Sequence, residues 1–322
     1  MNRRLSLSLA SLALLATPLA AFSQQVTIPP LIKVIVPFAP GAGTDVLARA
    51  VAAQLSTRLG TTVIVENRAG ASGTTAVAGV AKGPKDGSQL VFNSTSLVTA
   101  AATARNVTYD VTTDLVPVAI VADGPMLVGV SSQAGIKTPE DLVAAARAKP
   151  EMLTAGSAGV GSLGHLAVEL LNDAAKIKIR HIPYKGAAPA LVDVAAGTLT
   201  LTIGSYSTLA PQVQSGRVIP IAVTAAQPNP AYPGVPAMGQ AAAGFKTGIW
   251  YGLFAPAGLP PALLQRLNRE ANEVARSGEV RKLVEADGAA PINATPEELA
   301  VRIRQDYQTW KKLATDRQIT TE

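Results

Sequence analysis

Residues 34–47 constrain this chain more than any other stretch, because strand, tight-loop and helix signals follow one another within it. Val34, Ile35 and Val36 are apolar and β-branched, as a covered strand requires. Phe38, Ala39, Pro40, Gly41, Ala42 and Gly43 then turn the chain, and the glycines let backbone approach a ligand closely. Thr44 is placed to cap a helix, with Asp45 in the first turn against the positive end of its dipole. Leu47, Val51, Leu55 and Leu59 recur every four residues, so this helix lays one apolar stripe on a sheet. A strand, a glycine loop and a helix N-terminus aimed at one point make an anion site. The same pattern also suits an ordinary α/β turn that binds nothing. Asp45 reads either as a dipole partner or as a carboxylate that orders the loop amides.

The chain continues in the same rhythm. Strands are expected at 62–66 and 89–93, with a small-residue helix near 74–82 between them and Ser94, Thr95 and Ser96 at the end of the third strand. Strand and helix alternating at this spacing give a parallel sheet with right-handed crossovers. Ligands of such sheets bind beyond the carboxyl ends of the strands, so residues 40–43 and Ser94–Ser96 share one rim. Two apolar runs within 115–130 are broken by Asp123-Gly124-Pro125, which marks a crossing into a second unit. There Thr138-Pro139-Glu140-Asp141 opens a helix that ends at Lys149-Pro150. Strands follow at 153–156, 177–181, 198–203 and 218–224, with helices to about Asn172 and at 188–196. A strand at 249–255 returns to the first unit, before helices at 260–277 and from Thr295 onward, the latter with Leu299, Ile303, Tyr307 and Trp310 inward. Trp250 and Tyr251, in that returning strand, read as core.

Arg3 and Arg4, the apolar residues 5–15 and Ala21-Phe22-Ser23 have the form of a secretory signal, cleaved near Ser23. Export to the periplasm is the expectation. With no cysteine in the chain, disulfides, a lipidated cysteine anchor and thiol chemistry are excluded. The net charge is +6, or +4 without Arg3 and Arg4, and it is scattered rather than striped, which disfavours nucleic acid and suits a small acidic ligand.

Gly159-Val160-Gly161-Ser162-Leu163-Gly164 is a G-x-G-x-x-G between a strand and a helix, the context of a dinucleotide site. The acid that such a site wants at the end of the next strand is missing, since His181-Ile182-Pro183-Tyr184 stands there. A nucleotide-dependent oxidoreductase is therefore an alternative, and a small-anion site on the same loop the main reading. The two histidines, with no cysteine or acid cluster beside them, do not make a metal site, and no G-x-S-x-G elbow supports a hydrolase. His165 either faces the cleft or serves the helix terminus; His181 reads as structural. Lys185 is either a solvated loop lysine or a cation facing the ligand.

Several segments together resemble the Bug receptors, the periplasmic solute-binding proteins of tripartite tricarboxylate transporters. They are residues 35–45, Val65-Glu66-Asn67-Arg68-Ala69-Gly70, Lys85-Asp86-Gly87, Ala158-Gly159-Val160-Gly161-Ser162 with His165, residues 181–186, and Trp250-Tyr251-Gly252-Leu253-Phe254-Ala255-Pro256. The resemblance implies an α/β, two-domain Venus-flytrap fold of the type II periplasmic binding proteins, each domain a mixed, mainly parallel sheet flanked by helices. The domains are expected at 24–124 with 246–322, and at 125–245. It further implies a non-catalytic receptor that holds a carboxylate in the interdomain cleft, partnered by membrane transporter subunits. Cofactor, metal and direct membrane insertion are not expected, and the protein is expected to be a monomer. The ligand-binding residues it implies on the first domain are Phe38, Pro40, Gly41, Ala42, Gly43, Thr44, Asp45, Ser94, Thr95 and Ser96. On the facing wall they are Ser157, Ala158, Gly159, Val160, Gly161, Ser162, His165, Tyr184, Lys185, Gly186, Gly204, Ser205 and Tyr206. Ala42 departs from a usual glycine, and Thr200 and Gly204 from frequent acids. A ligand-sensing receptor for a signalling kinase fits the same cleft.

Overall fold

The computed structural model describes residues 26–41 and 43–321, so the secretory-signal reading and that of Ala42 lie outside the described residues. The first lobe begins with β1 (Leu31–Val36), α1 (Gly43–Leu59), β2 (Thr62–Asn67), α2 (Thr74–Ala81), β3 (Gln89–Ser94), α3 (Ser96–Thr103) and β4 (Leu115–Gly124). Three residues later the chain is in the second lobe, which holds β5 (Leu127–Ser131), α4 (Pro139–Ala148), β6 (Thr154–Ser157) and α5 (Leu163–Ala175). It continues with β7 (Arg180–Pro183), α6 (Ala187–Ala195), β8 (Leu201–Gly204), α7 (Tyr206–Gln214) and β9 (Val218–Val223). The chain then returns to the first lobe as β10 (Ile249–Pro256), α8 (Pro261–Ala275), α9 (Gly278–Ala286) and α10 (Pro296–Asp316).

The sheets have the orders β2-β1-β3-β10-β4 and β7-β6-β8-β5-β9. β1 pairs in parallel with β2 and β3, while β10 is antiparallel to both β3 and β4. In the second sheet β6 is parallel to β7 and β8, and β5 is antiparallel to β8 and β9. Each sheet thus has one strand against four, and it is the strand that arrives from the other lobe. A strand entering at the rim must run away from it, whereas home strands run toward it. The sheets are mixed but mainly parallel for that reason, and the carboxyl ends of the home strands face across one gap.

Sequence-local signals explain most of these elements. Thr138 and Asp141 cap each other's ends of α4, and Thr295 and Glu298 do the same for α10, each with proline at the first helical position. One apolar cluster joins Leu47, Val51 and Leu55 of α1 to Leu263, Leu267 and Val284 on one face of the first sheet. The other face holds Ile35, Val91 and Trp250 under Leu97, Leu299 and Trp310, and that cluster continues into Leu163, Leu166 and Leu171 of α5. The lobes therefore share apolar packing on one side of the gap.

Three expectations change. The strand expected at 177–181 is Arg180–Pro183, because the buried Asn172 side chain brackets Ile179, donating to its carbonyl at 3.1 Å and accepting its amide at 2.8 Å. The strand expected at 198–203 starts at Leu201, since the Leu199 amide is drawn to the Asp193 carbonyl at 3.1 Å. Thr44 lies inside α1 rather than before it. At the crossing, a Cβ on Gly124 would stand 2.6 Å from the Ala289 Cα. Gly124→Ala should accordingly destabilise the protein by about 1–3 kcal/mol in urea unfolding. Gly79→Ala, with open space on α2, should stabilise it by about 0.5–1 kcal/mol in the same measurement.

Candidate functional site

The loop after β1 is tied down from below. Asp45 is buried at 2% exposure and accepts the Gly41 amide at 2.9 Å, Asn67 Nδ2 at 2.8 Å and Arg49 Nε at 3.1 Å. Asn67 also donates to the Phe38 carbonyl at 3.1 Å and accepts from Arg49 at 2.8 Å. Burial pushes the Asp45 pKa up, but the bonds from Gly41, Arg49 and Asn67 outweigh it and hold the carboxyl below its ordinary range. Of its two sequence readings, the structure shows Asp45 ordering the loop. On the same rim Thr95 is fixed to Trp250, donating its amide and accepting the Trp250 amide at its hydroxyl. The Ser94 hydroxyl accepts the Ser96 amide at 3.3 Å. Ser94 and Thr95 are buried, and Ser96 is the half-exposed member of the trio.

In the second lobe two neutral histidines organise the loop after β6. Their rings stack at 3.7 Å and 15°. The Gly161 amide donates to His165 Nδ1 at 3.1 Å, so that ring carries its proton on Nε2, toward Glu169. His181 Nε2 meets the Ser157 hydroxyl at 2.6 Å, and the same oxygen accepts the Gly159 amide at 3.1 Å. Ser162 caps α5 and donates to the Gly159 carbonyl at 2.7 Å. His165 thus serves the loop, and the Gly161 amide is engaged rather than open. A Cβ on Gly161 would collide with Thr103 and with Thr321 of the first lobe, so this glycine is packed tightly against that lobe. The dinucleotide reading gains no support from this loop.

Ala158 and Val160 are the exposed positions of this loop. Beside them the Gly186 amide reaches the Ala158 carbonyl at 3.2 Å, and the Tyr184 hydroxyl donates to Asp193. Gly186 opens α6 at φ 115° with no side-chain cap, leaving first-turn amides without intrahelical partners. Lys185 is exposed and pairs with no acid among the described residues. Gly204 ends β8, Ser205 is buried and Tyr206 begins α7; Ser207, which the sequence reading passed over, faces Gly43, whose Cβ would stand 3.1 Å from its hydroxyl. Arg68 pairs with Glu66 at 2.8 Å, as Arg49 does with Asp45 at 3.1 Å. Each arginine is thus paired with an acid of its own lobe.

A crevice of about 130 Å³ opens at the seam, among Gly41, Gly43, Val46, Ser207, Tyr251 and Asp287. A larger hollow of about 900 Å³ lies at the amino ends of β1 and β3, beside Pro29, Asp86 and Pro260, away from both loops. Among the described residues no cluster of His, Asp and Glu could hold a metal, and no helix is long and apolar enough to cross a membrane.

Residues 47–319 match the model of the tripartite tricarboxylate transporter family receptor. The chain belongs to that family. It is 33% identical to BugT of Bordetella pertussis over 87% of this chain and 86% of that one. Among solved structures it is similar to Rpa4515 of R. palustris with adipate, at 33% identity and a TM-score of 0.82, covering 90% of this chain and 98% of the other. It is also similar to MatC of Rhodopseudomonas palustris with bound malate, at 28% identity and a TM-score of 0.79, covering 88% and 98%.

Two consequences are measurable. Asp45→Ala strands the Gly41 amide without its acceptor and Arg49 without its acid, and should cost about 2–4 kcal/mol in urea unfolding. Burial lowers the pKa of His165 from 6.5 to about 4 and that of His181 to about 3, the latter helped by the neighbouring ring. The unfolded chain takes up both protons near pH 6.5 and the folded one does not until about 4 and 3. Stability is therefore complete above pH 6.5 and falls as the pH drops toward those values. His181→Gln should flatten that acid limb in urea midpoints measured from pH 7.5 down to 4.

Proposed function

We propose that the protein is a periplasmic receptor that captures a small carboxylate between its lobes and hands it to the membrane subunits of a tripartite transporter, without catalysis and as a monomer. The observation that carries this reading is the state of the charges at the gap. Arg49 and Arg68 are each paired with an acid of their own lobe, while half-exposed Ser96 and the uncapped first turn of α6 offer a hydroxyl and amides. An anion would be held at Ser96, the Gly41–Gly43 loop, Ala158–Val160 and the start of α6, with Lys185 at the rim. Of the other residues expected on sequence grounds, Asp45, Thr95, Ser157, Ser162 and His165 brace these loops through their hydrogen bonds. The two crossings of the chain, after β4 and before β10, support a division into 24–124 with 246–322, and 125–245.

The solved relatives support the ligand class, since one carries adipate and another malate. The export signature of residues 3–23 supports the location. The test is a thermal-shift screen of mono-, di- and tricarboxylates, adipate and malate included, followed by calorimetry. A true ligand at a hundred times its Kd adds about 2.7 kcal/mol of stability, whereas NADPH should add none. Gly186→Val should weaken binding by more than about a hundredfold. Arg68→Ala should weaken it by less than about tenfold, or 1.4 kcal/mol. A carboxylate lost on Arg68→Ala but retained by Gly186→Val would overturn the amide cradle.

A further inference from the structure

Helix α7 receives its cap from the opposite lobe. Its own N-cap residue, Ser205, makes no capping bond. The Ser205 hydroxyl is taken up by Ser207 Oγ at 3.1 Å, by Thr208 Oγ1 at 2.9 Å and by the Tyr251 hydroxyl. The Ser207 amide, an orphan donor of the first turn, instead gives its proton to Asp287 Oδ1 at 2.6 Å, and the Ser207 hydroxyl donates to Oδ2 at 3.0 Å. Asp287 closes α9, on the first lobe. Neighbouring contacts tighten the same seam. Asn229 Nδ2 of the second lobe donates to the Gly288 carbonyl at 2.7 Å, and a Cβ on Gly288 would stand 2.6 Å from the Tyr232 ring.

We propose that the Asp287 carboxylate is an interlobe clasp, capping α7 only while the lobes are together and so holding that arrangement in the ligand-free protein. The inference rests on reading the gap as the ligand cleft. A carboxylate at a helix N-terminus satisfies backbone donors and meets the positive end of the dipole. Separation of the lobes would hand both partners back to water. No Lys, Arg or His among the described residues pairs with Asp287, so α7 is its one strong partner. The titratable groups around it are Tyr251 on β10 and Tyr232 on the connection before residue 237, both pushed up by burial and so neutral at pH 7, with Tyr206 of α7 packed against Tyr232. Burial raises the Asp287 pKa, opposed by its two bonds from Ser207.

A receptor clasped in this way meets its ligand with the two walls already close, so Asp287 is a positioning residue for binding that need never touch the ligand. The chain has no cysteine. Nitroxide labels attached after Ile64→Cys and Val192→Cys, exposed at 42% on the first lobe and 58% on the second, therefore report the gap without background. In the parent protein at pH 7.5 the spin–spin distance should be single and narrow. Asp287→Ala should shift the ratio of separated to closed molecules at least about tenfold, and Ser207→Ala, which removes one of the two bonds, should shift it the same way by less. Acidification through the Asp287 titration should open the parent protein, while Asp287→Ala shows no such step. Circular dichroism of each variant verifies folding, and Ser207→Ala and the acid step carry the test should Asp287→Ala fail to fold. Distances unchanged by these substitutions and by acid would overturn the clasp. A protein that binds no carboxylate in calorimetry yet shows these distance changes would sink the receptor reading and leave the clasp standing.

Discussion

The carboxylate of Asp45 is the interaction on which the first wall of the cleft depends. It sits beneath the loop, draws the Gly41 amide inward, holds the Asn67 side chain at the end of β2 and occupies Arg49. The loop after β1, the start of α1 and the end of β2 are thereby fixed relative to one another by one charge. Burying that charge is tolerable because amide, carboxamide and guanidinium donors surround it. The arginine nearest the loop is spent on the protein's own acid.

The second wall solves the same problem with neutral groups. Stacked imidazoles replace the ion pair, one accepting the Gly161 amide and the other holding the Ser157 hydroxyl. Because neither ring is charged at neutral pH, the loop above them is ordered without adding to or subtracting from the field that an anion would feel. The two walls differ in chemistry but share a design in which loop geometry is set from below.

What the sequence disclosed follows the range of the interactions involved. The loop after β1, the crossing at Gly124, the caps at Thr138 and Thr295, and the alternation that makes two α/β units are all written within a few residues of where they act. Helix α3 escaped notice because Leu97 to Thr103 is small or apolar throughout and is buried without a polar face. The shift of β7 turned on one side chain, Asn172, competing with the ladder for Ile179. The Asp287–Ser207 pair spans 80 residues and two lobes, and no periodicity announces it. His165 had two readings because its position in the first turn was legible, while its bond to Gly161 depends on how the loop folds back.

The strand exchanged between lobes also governs when the fold can exist. β10 lies inside the first sheet, between β3 and β4, although it is the last strand to be made. Until residues 249–256 are available, β3 and β4 have no common neighbour, and the sheet begun at residue 31 stays incomplete. Its pairings are long-range ones that close late and slowly. The nascent chain is thereby kept from finishing its first lobe while the second is still being synthesised. The lobe that is begun first is therefore completed last, after every strand of the second lobe has been made.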